Sequence, residues 1–203
     1  SSRIIDRGLG IRAIVNKATG FSYTNVLESE AVIEEAVLKA LNSARASKPD
    51  KDWHGLPTKK PFSSVEGTYD NKIVKLDSED LVKIASRMLD AAEKTDRRVF
   101  PIEGDAGASY LCKAVANSNG VEGFDHGTII ECSLATIAKR EGEVTPACFE
   151  FNIERKYDVN PEWVGKEAAR LTVSALKAER TETKNVSVIF TQFALQQLLQ
   201  YTL

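Results

Sequence analysis

The chain has 203 residues, 42% apolar and 28% charged, with 27 Lys plus Arg against 29 Asp plus Glu. That content buries a core as one large domain or two small ones and excludes a disordered chain. No apolar run reaches the roughly 18 residues a membrane-spanning helix needs, and the N-terminus has no signal-peptide stretch.

A formal charge of −2 and a pI near 5.8 argue against direct nucleic-acid contact, which draws on clustered basic side chains. The basic pairs Lys59-Lys60, Arg97-Arg98, Lys139-Arg140 and Arg155-Lys156 are scattered and read as solvated surface. Three cysteines suit a reducing compartment better than a disulfide framework, so a cytoplasmic location is expected. The sequence opens Ser1-Ser2-Arg3 without Met, as a processed product or a piece of a longer chain would.

Residues 11–24 read as a β-hairpin. Ile11, Ala13 and Val15 alternate with Arg12, Ile14 and Asn16, and the turn is placed at Lys17 to Gly20. A helix is expected over about 29–47, because Val32, Ile33, Ala36, Val37, Ala40, Leu41 and Ala44 recur at the helical period. Pro49, Gly55, Pro57, Pro61 and Gly67 mark 49–76 as linker or surface loop. Asp77 or Ser78 caps a second helix, buried through Leu81, Ala85, Met88, Leu89 and Ala92.

Period two dominates 97–157. A strand lies at about 127–140, and Ala147, Phe149, Phe151 and Ile153 form one face of the next. Turn signals at Gly104 to Gly107, Asn119-Gly120 and Glu141-Gly142 give four antiparallel strands in a meander with an apolar face to be covered. The cover is a third helix, about 161–179, capped by Asn160 with Pro161 at its first position and buried through Val164, Ala168, Leu171 and Ala175. Gly165 within it suggests close approach of helix to sheet. Val186 to Phe190 reads as a short strand and 192–203 as a helix.

The fold class is therefore α+β, an antiparallel meander covered by helices. The expected units are 1–48 (hairpin plus helix), 49–76 (linker), 77–183 (helix, meander, helix) and 184–203.

The chemistry-bearing residues are few. His54 and His126 are the two histidines, with no HExxH, HExxxH or CxxC. His126 and Cys132, six apart, share a strand face, with Cys148 on the next strand, but no third group completes a nucleophile or metal site. Trp53 and His54 form a loop contact or pin. Glu103 and Asp105 flank Gly104 as a carboxylate pair or, more simply, as turn residues. No catalytic, cofactor or metal residue is assigned.

The order of segments carries more. Gly10 to Val15, then Thr19-Gly20-Phe21-Ser22-Tyr23-Thr24-Asn25, then an Ala-rich helix, resembles the start of the TldD/PmbA family, known as modulators of DNA gyrase and as metallopeptidases. Gly165-Lys166-Glu167-Ala168-Ala169, then Val186-Ser187-Val188-Ile189-Phe190 and Leu198-Leu199, continue the resemblance. It implies a larger protein with a β-rich C-terminal domain and a pairing of TldD-type and TldE/PmbA-type subunits. The TldD-type carries HExxxH just after the Leu-Leu pair, where two His hold zinc and Glu activates water.

Here Gln200 and Tyr201 follow Leu198-Leu199, a neutral amide and a phenol, so the resemblance implies the non-metal TldE/PmbA-type subunit. Its implied role is to assist proteolysis of unfolded peptides, holding an extended segment by strand addition. The implied partners are a TldD-like HExxxH-bearing subunit, which would bring the zinc, or a second copy. Alternatives are a self-associating scaffold, a truncated TldD-type chain with HExxxH beyond Leu203, a regulator acting on a DNA-bound protein, and a Cys132/His126 hydrolase.

Overall fold

Residues 2–63 and 65–201 are described by the structure, a computed structural model. The chain opens with a hairpin of β1 (Leu9–Val15) and β2 (Ala18–Thr24), followed by α1 (Glu30–Ala46). The turn is Asn16-Lys17, both at positive φ (49° and 68°), the mirror-image geometry that matches strand twist. It is not Lys17 to Gly20.

Gly20 instead lies within β2, opposite Ala13, where a Cβ would overlap the Ala40 carbonyl and the Ala44 nitrogen. The hairpin thus sits directly on α1. The helix buries Ala36, Ala40 and Ala44, while the larger Val37 of the same stripe is left 38% exposed. Close backbone approach selects alanine there, since a longer side chain would push the hairpin away. Among the described residues, no helix or strand of this unit packs on a helix or strand of the next.

The second unit comprises α2 (Asn71–Val74), α3 (Ser78–Thr95), β3 (Val99–Ala116), β4 (Glu122–Arg140), β5 (Glu143–Val144), β6 (Cys148–Glu154) and α4 (Pro161–Ser174). α3 starts with a reciprocal cap: the Asp77 carboxylate accepts from the Glu79 and Asp80 N–H groups, and Asp80 accepts from Asp77. At α4, the Asn160 side chain accepts from the Trp163 N–H behind Pro161. Within 49–76, α2 contributes Ile73 to the core of this unit.

The sheet is antiparallel. β3 pairs with β4 along nearly its whole length, with an irregularity between Pro101 and Glu103, and β5 and β6 both pair with the other edge of β4. The meander's last strand is therefore split, interrupted at 145–147. Gly104 to Gly107 is not a turn; it is strand interior, and a Cβ at Gly104 would press on Leu134. Glu103 and Asp105 are strand residues too. Asn117 to Gly120, with Gly120 at φ 76°, and Glu141-Gly142, at 50° and 86°, do turn the chain.

The core joins Ile84 and Met88 of α3, Ile130, Cys132 and Leu134 of β4, and Val164, Ala168 and Ala169 of α4. The helix stripe is rotated from the expected one in α3: Ile84 and Ala91 are buried while Leu89 is 37% exposed. Gly165 answers helix-to-helix contact, not helix-to-sheet contact, since its Cβ would overlap the Met88 carbonyl of α3. α4 stops at Ser174, short of 179, and Lys177 takes a positive φ of 61°. Buried hydroxyls tie α4 to β4: Thr136 Oγ1 and Thr172 Oγ1 lie 2.6 Å apart, within reach of the Ala168 carbonyl.

The apolar face expected under the helices is on the wrong side. Asn152 stands opposite Cys132 and Glu150 opposite Leu134, so the helix-covered face of β6 is Cys148, Glu150, Asn152 and Glu154. Phe149, Phe151 and Ile153 point to the outer face. β6 is the margin of the sheet, where polar side chains at the rim of the helix layer still reach water. Its alternation reports a second, outer apolar surface.

Residues 186–190 form no strand, and Val186 and Ile189 are 68% and 97% exposed. A strand needs a neighbour for its backbone groups, and none pairs with it among the described residues. α5 (Gln192–Leu199) follows, its Phe193 ring 6.0 Å from Phe149 and 5.4 Å from Phe151. Thr202 and Leu203 of the expected longer helix lie outside the described residues. No described helix is long and apolar enough to cross a membrane.

Candidate functional site

The sequence-derived residues do not converge. Cys132 is fully buried in the core, and burial pushes its thiol up to about 11, against the pull of the Asn152 N–H. That thiol is a packed core group and not a nucleophile. His126 is six residues along the same face, roughly 20 Å away at strand rise. Cys148 stands opposite Thr136, two pairs beyond Leu134.

His126 instead faces Cys112 across β3, an exposed thiol that periodicity alone did not single out. Around them Tyr69 lies 4.8 Å from the His126 ring, with Tyr110 at 6.2 Å and Phe124 at 5.7 Å. This is an aromatic face of the two-stranded ribbon that β3 and β4 extend beyond β6. The irregular segment before α2 lies on it: Thr128 N–H donates to the Thr68 carbonyl, and Asn117 and Asn119 side chains donate to the Pro57 and Leu56 carbonyls. Trp53 is half-buried near its Asp50 turn, and His54 is exposed. Glu103 and Asp105 are exposed on the outer face, with Glu131 beside Gly107.

β6 pairs with β4 on one side and presents its other edge with a regular array of outward backbone groups. Alternate residues of a strand turn their N–H and C=O groups to opposite edges. Thr145 N–H donates to the Ala138 carbonyl, while Lys139 N–H donates to Arg98, so even-numbered β4 residues face the β5–β6 side. Their partners Cys148, Glu150, Asn152 and Glu154 turn inward. Phe149, Phe151 and Ile153 turn their backbone outward. The Phe151 N–H is taken by Glu150 Oε1 at 3.0 Å; the N–H groups of Phe149 and Ile153 have no partner among the described residues.

Beside this edge lies a cavity of about 500 Å3 on the helix side, lined by Asn152, Glu154, Asp158, Glu162 and Trp163 together with Arg87. Arg87 forms a two-pronged pair with Glu162, at 2.6 and 2.9 Å, which holds the Glu162 carboxyl below the usual carboxylate range. The corner below is pinned by Asp70, whose carboxylate accepts from the Tyr157 and Lys72 N–H groups and is lowered by them.

Zinc does not fit the described residues. At the end of α5 stand Gln200, whose N–H donates to the Gln196 carbonyl, and Tyr201. Among the described residues no group of three or more His, Cys, Asp or Glu could hold a metal.

Compared with known proteins, these features place the chain in a class of metallopeptidase domains. The profile of the PmbA/TldA metallopeptidase central domain matches residues 71–176, and that of PmbA/TldA metallopeptidase domain 1 matches residues 1–47. The chain belongs to the PmbA/TldD family. It is 27% identical over 201 residues to Metalloprotease PmbA of Escherichia coli O157:H7, covering 91% of this chain and 41% of that protein. A Metalloprotease TldD homolog of Buchnera aphidicola is 26% identical over 142 residues, covering 68% and 28% respectively.

Among solved structures, TldE of Thermococcus kodakarensis matches with TM-score 0.70 at 22% identity, over 78% of this chain and 36% of that one. A Bacteroides thetaiotaomicron protein described as a modulator of DNA gyrase matches with TM-score 0.76 at 21% identity, over 86% and 41%. These likenesses show the fold. The chain spans about two fifths of the length of the PmbA relative.

Proposed function

We propose that this chain is the non-metal, TldE/PmbA-like subunit, or part of one, of a PmbA/TldD-family metallopeptidase, and that it holds unfolded polypeptide for cleavage elsewhere. The observation that carries this reading is the sheet edge of a family member, with outward N–H and C=O groups on β6 and an apolar flank of Phe149, Phe151 and Ile153. Strand addition to such an edge grips main chain, which suits substrates without a fixed sequence. Gln200 and Tyr201 after Leu198-Leu199 favour a chain whose zinc is supplied by an HExxxH-bearing TldD-type partner. A cytoplasmic setting, with its reduced cysteines, agrees with the three free thiols.

Reconstitution tests this. The chain in its full-length native form is incubated with an unfolded polypeptide, alone and with an HExxxH-bearing relative from the same cells. The expected result is cleavage only in the mixture, abolished by a zinc chelator. Chelator-sensitive cleavage by the chain alone overturns the assignment, as does a mixture no more active than the relative by itself.

A further inference from the structure

We infer that the β6 edge takes an extended polypeptide segment whose side chains alternate apolar and basic. This rests on the peptide-holding reading above and adds to it a place and a preference. A strand added beside β6 bonds to the outward N–H and C=O groups of Phe149 and Ile153 and to the Phe151 carbonyl, the Phe151 N–H being held by Glu150, and sends its side chains alternately to the two faces of the sheet.

On the outer face it meets Phe149, Phe151 and Ile153, of which Phe149 and Ile153 are 45% and 50% exposed, and Phe193 beside them. Ile129 and Ile153 border a second cavity of about 420 Å3, whose wall also carries Glu154, Arg155, Lys156 and Asp158. Apolar side chains cover that surface. On the helix face the added strand meets the 500 Å3 cavity. There Arg87 is committed to Glu162, which leaves the carboxylates of Glu154 and Asp158 without a cationic partner on the cavity wall. Asp158 is exposed, and among the described residues the Glu154 carboxylate accepts from the Asn152 amide. Lys or Arg side chains complement that wall, while Asp or Glu side chains repel it.

The opposite edge of the sheet offers no such pair of surfaces. Along β3 the residues opposite the β6-paired part of β4 are Gly104, Ala106 and Ala108 on the helix side and Asp105, Gly107 and Ser109 on the outer side, small or acidic, with the exposed apolar Ile102, Tyr110 and Leu111 at the two ends of this stretch. The observations therefore choose β6, and they choose a polypeptide of this pattern over an unpatterned one.

The test uses fluorescence anisotropy with labelled nine-residue peptides alternating Val and Lys, alternating Val and Glu, or with Val and Lys in blocks, plus a labelled unfolded polypeptide. The expected order is Val-Lys alternation tightest, by tenfold or more over Val-Glu and over the blocked peptide. Ile153→Pro removes one outward N–H at a position where an edge strand tolerates proline. It is expected to weaken the alternating peptide about tenfold with the melting temperature little changed. Asp158→Lys, on the exposed wall, keeps the fold and is expected to shift preference toward Val-Glu by about tenfold, so the inference stays testable should the proline variant not fold.

Equal binding of all three peptides, or binding unchanged in folded Ile153→Pro, overturns the inference while unfolded-polypeptide binding by the native chain keeps the broader reading. No binding of the unfolded polypeptide overturns both. Concentration-dependent dimerisation that Ile153→Pro abolishes makes a second copy the occupant, and overturns it as well.

Discussion

The two packed units of this chain solve the same problem with different materials. In both, a helix is brought close through a glycine: Gly20 of β2 lies on the α1 backbone at Ala40 and Ala44, and Gly165 of α4 lies on the α3 backbone at Met88. The first unit buries little besides alanine, with Ala18, Ala36, Ala40 and Ala44, and leaves Phe21 and Tyr23 more than half exposed. The second adds Ile84, Met88, Ile130, Leu134 and Val164, all at most 1% exposed. Close approach by itself holds a two-stranded hairpin to a helix; a third strand and a second helix are what make room for large side chains. Hydrophobic stabilisation scales with the apolar area removed from water, so the second unit is the more stable one.

Gly165→Val attacks the stronger unit where it is least able to yield. The new side chain meets the Met88 carbonyl, so α3 and α4 must separate, at a cost of about 3 kcal/mol. Chemical denaturation followed through Trp163, on α4 itself, is expected to show the lost stability as a lowered midpoint. Gly20→Ala is expected to cost about 2 kcal/mol in the first unit, visible as faster amide exchange in β1, β2 and α1 with β4 and α4 unchanged. Loss of protection in both units would show that they unfold together and would break the comparison.

Thr172→Val sharpens the account of the β4–α4 seam. It leaves Thr136 with the Ala168 carbonyl as its remaining side-chain partner and is expected to cost about 1 kcal/mol. Adding Thr136→Val is expected to cost less than the same change made alone, since the bond between the two hydroxyls is already gone.

The smallest effect is one of pH. Asp96, bonded to the Arg98 guanidinium at 2.6 Å and to its N–H, is held down to about 2 from an ordinary 3.8. Its carboxyl binds a proton more readily unfolded than folded, so its stabilisation is complete above about 3.8 and is lost as pH falls toward 2. Asp96→Asn should flatten that part of the stability profile at the α3–β3 junction.

Much of this fold was legible in the sequence. The α1, α3 and α4 starts followed from caps and period, with Asp77 and Asn160 in their expected roles. Asn119-Gly120 and Glu141-Gly142 turned the chain as their residue types require. Gly104 to Gly107 misled because glycine serves close packing as readily as it serves a turn, and only the partner, here Leu134, tells which.

The Phe149–Phe151–Ile153 alternation was plain, but alternation does not say which face a helix covers. That information lies in the β4 pairing, a long-range fact. For the same reason the candidate site was invisible: free N–H groups at Phe149 and Ile153 are a property of where β6 falls in the sheet, and no side-chain pattern encodes it. Family membership was legible because segment order survives where single motifs are soft.

Docking of unfolded polypeptide along β6 is the proposal on which the function rests. Residue-resolved amide exchange of the chain, with and without an unfolded polypeptide, tests it most directly. The amides of Phe149 and Ile153 are expected to exchange quickly in the free chain and to become protected on binding, while β3 stays unchanged. Protection confined to β3 or to the ribbon beyond β6, or none at all under conditions where binding is saturated, would contradict it.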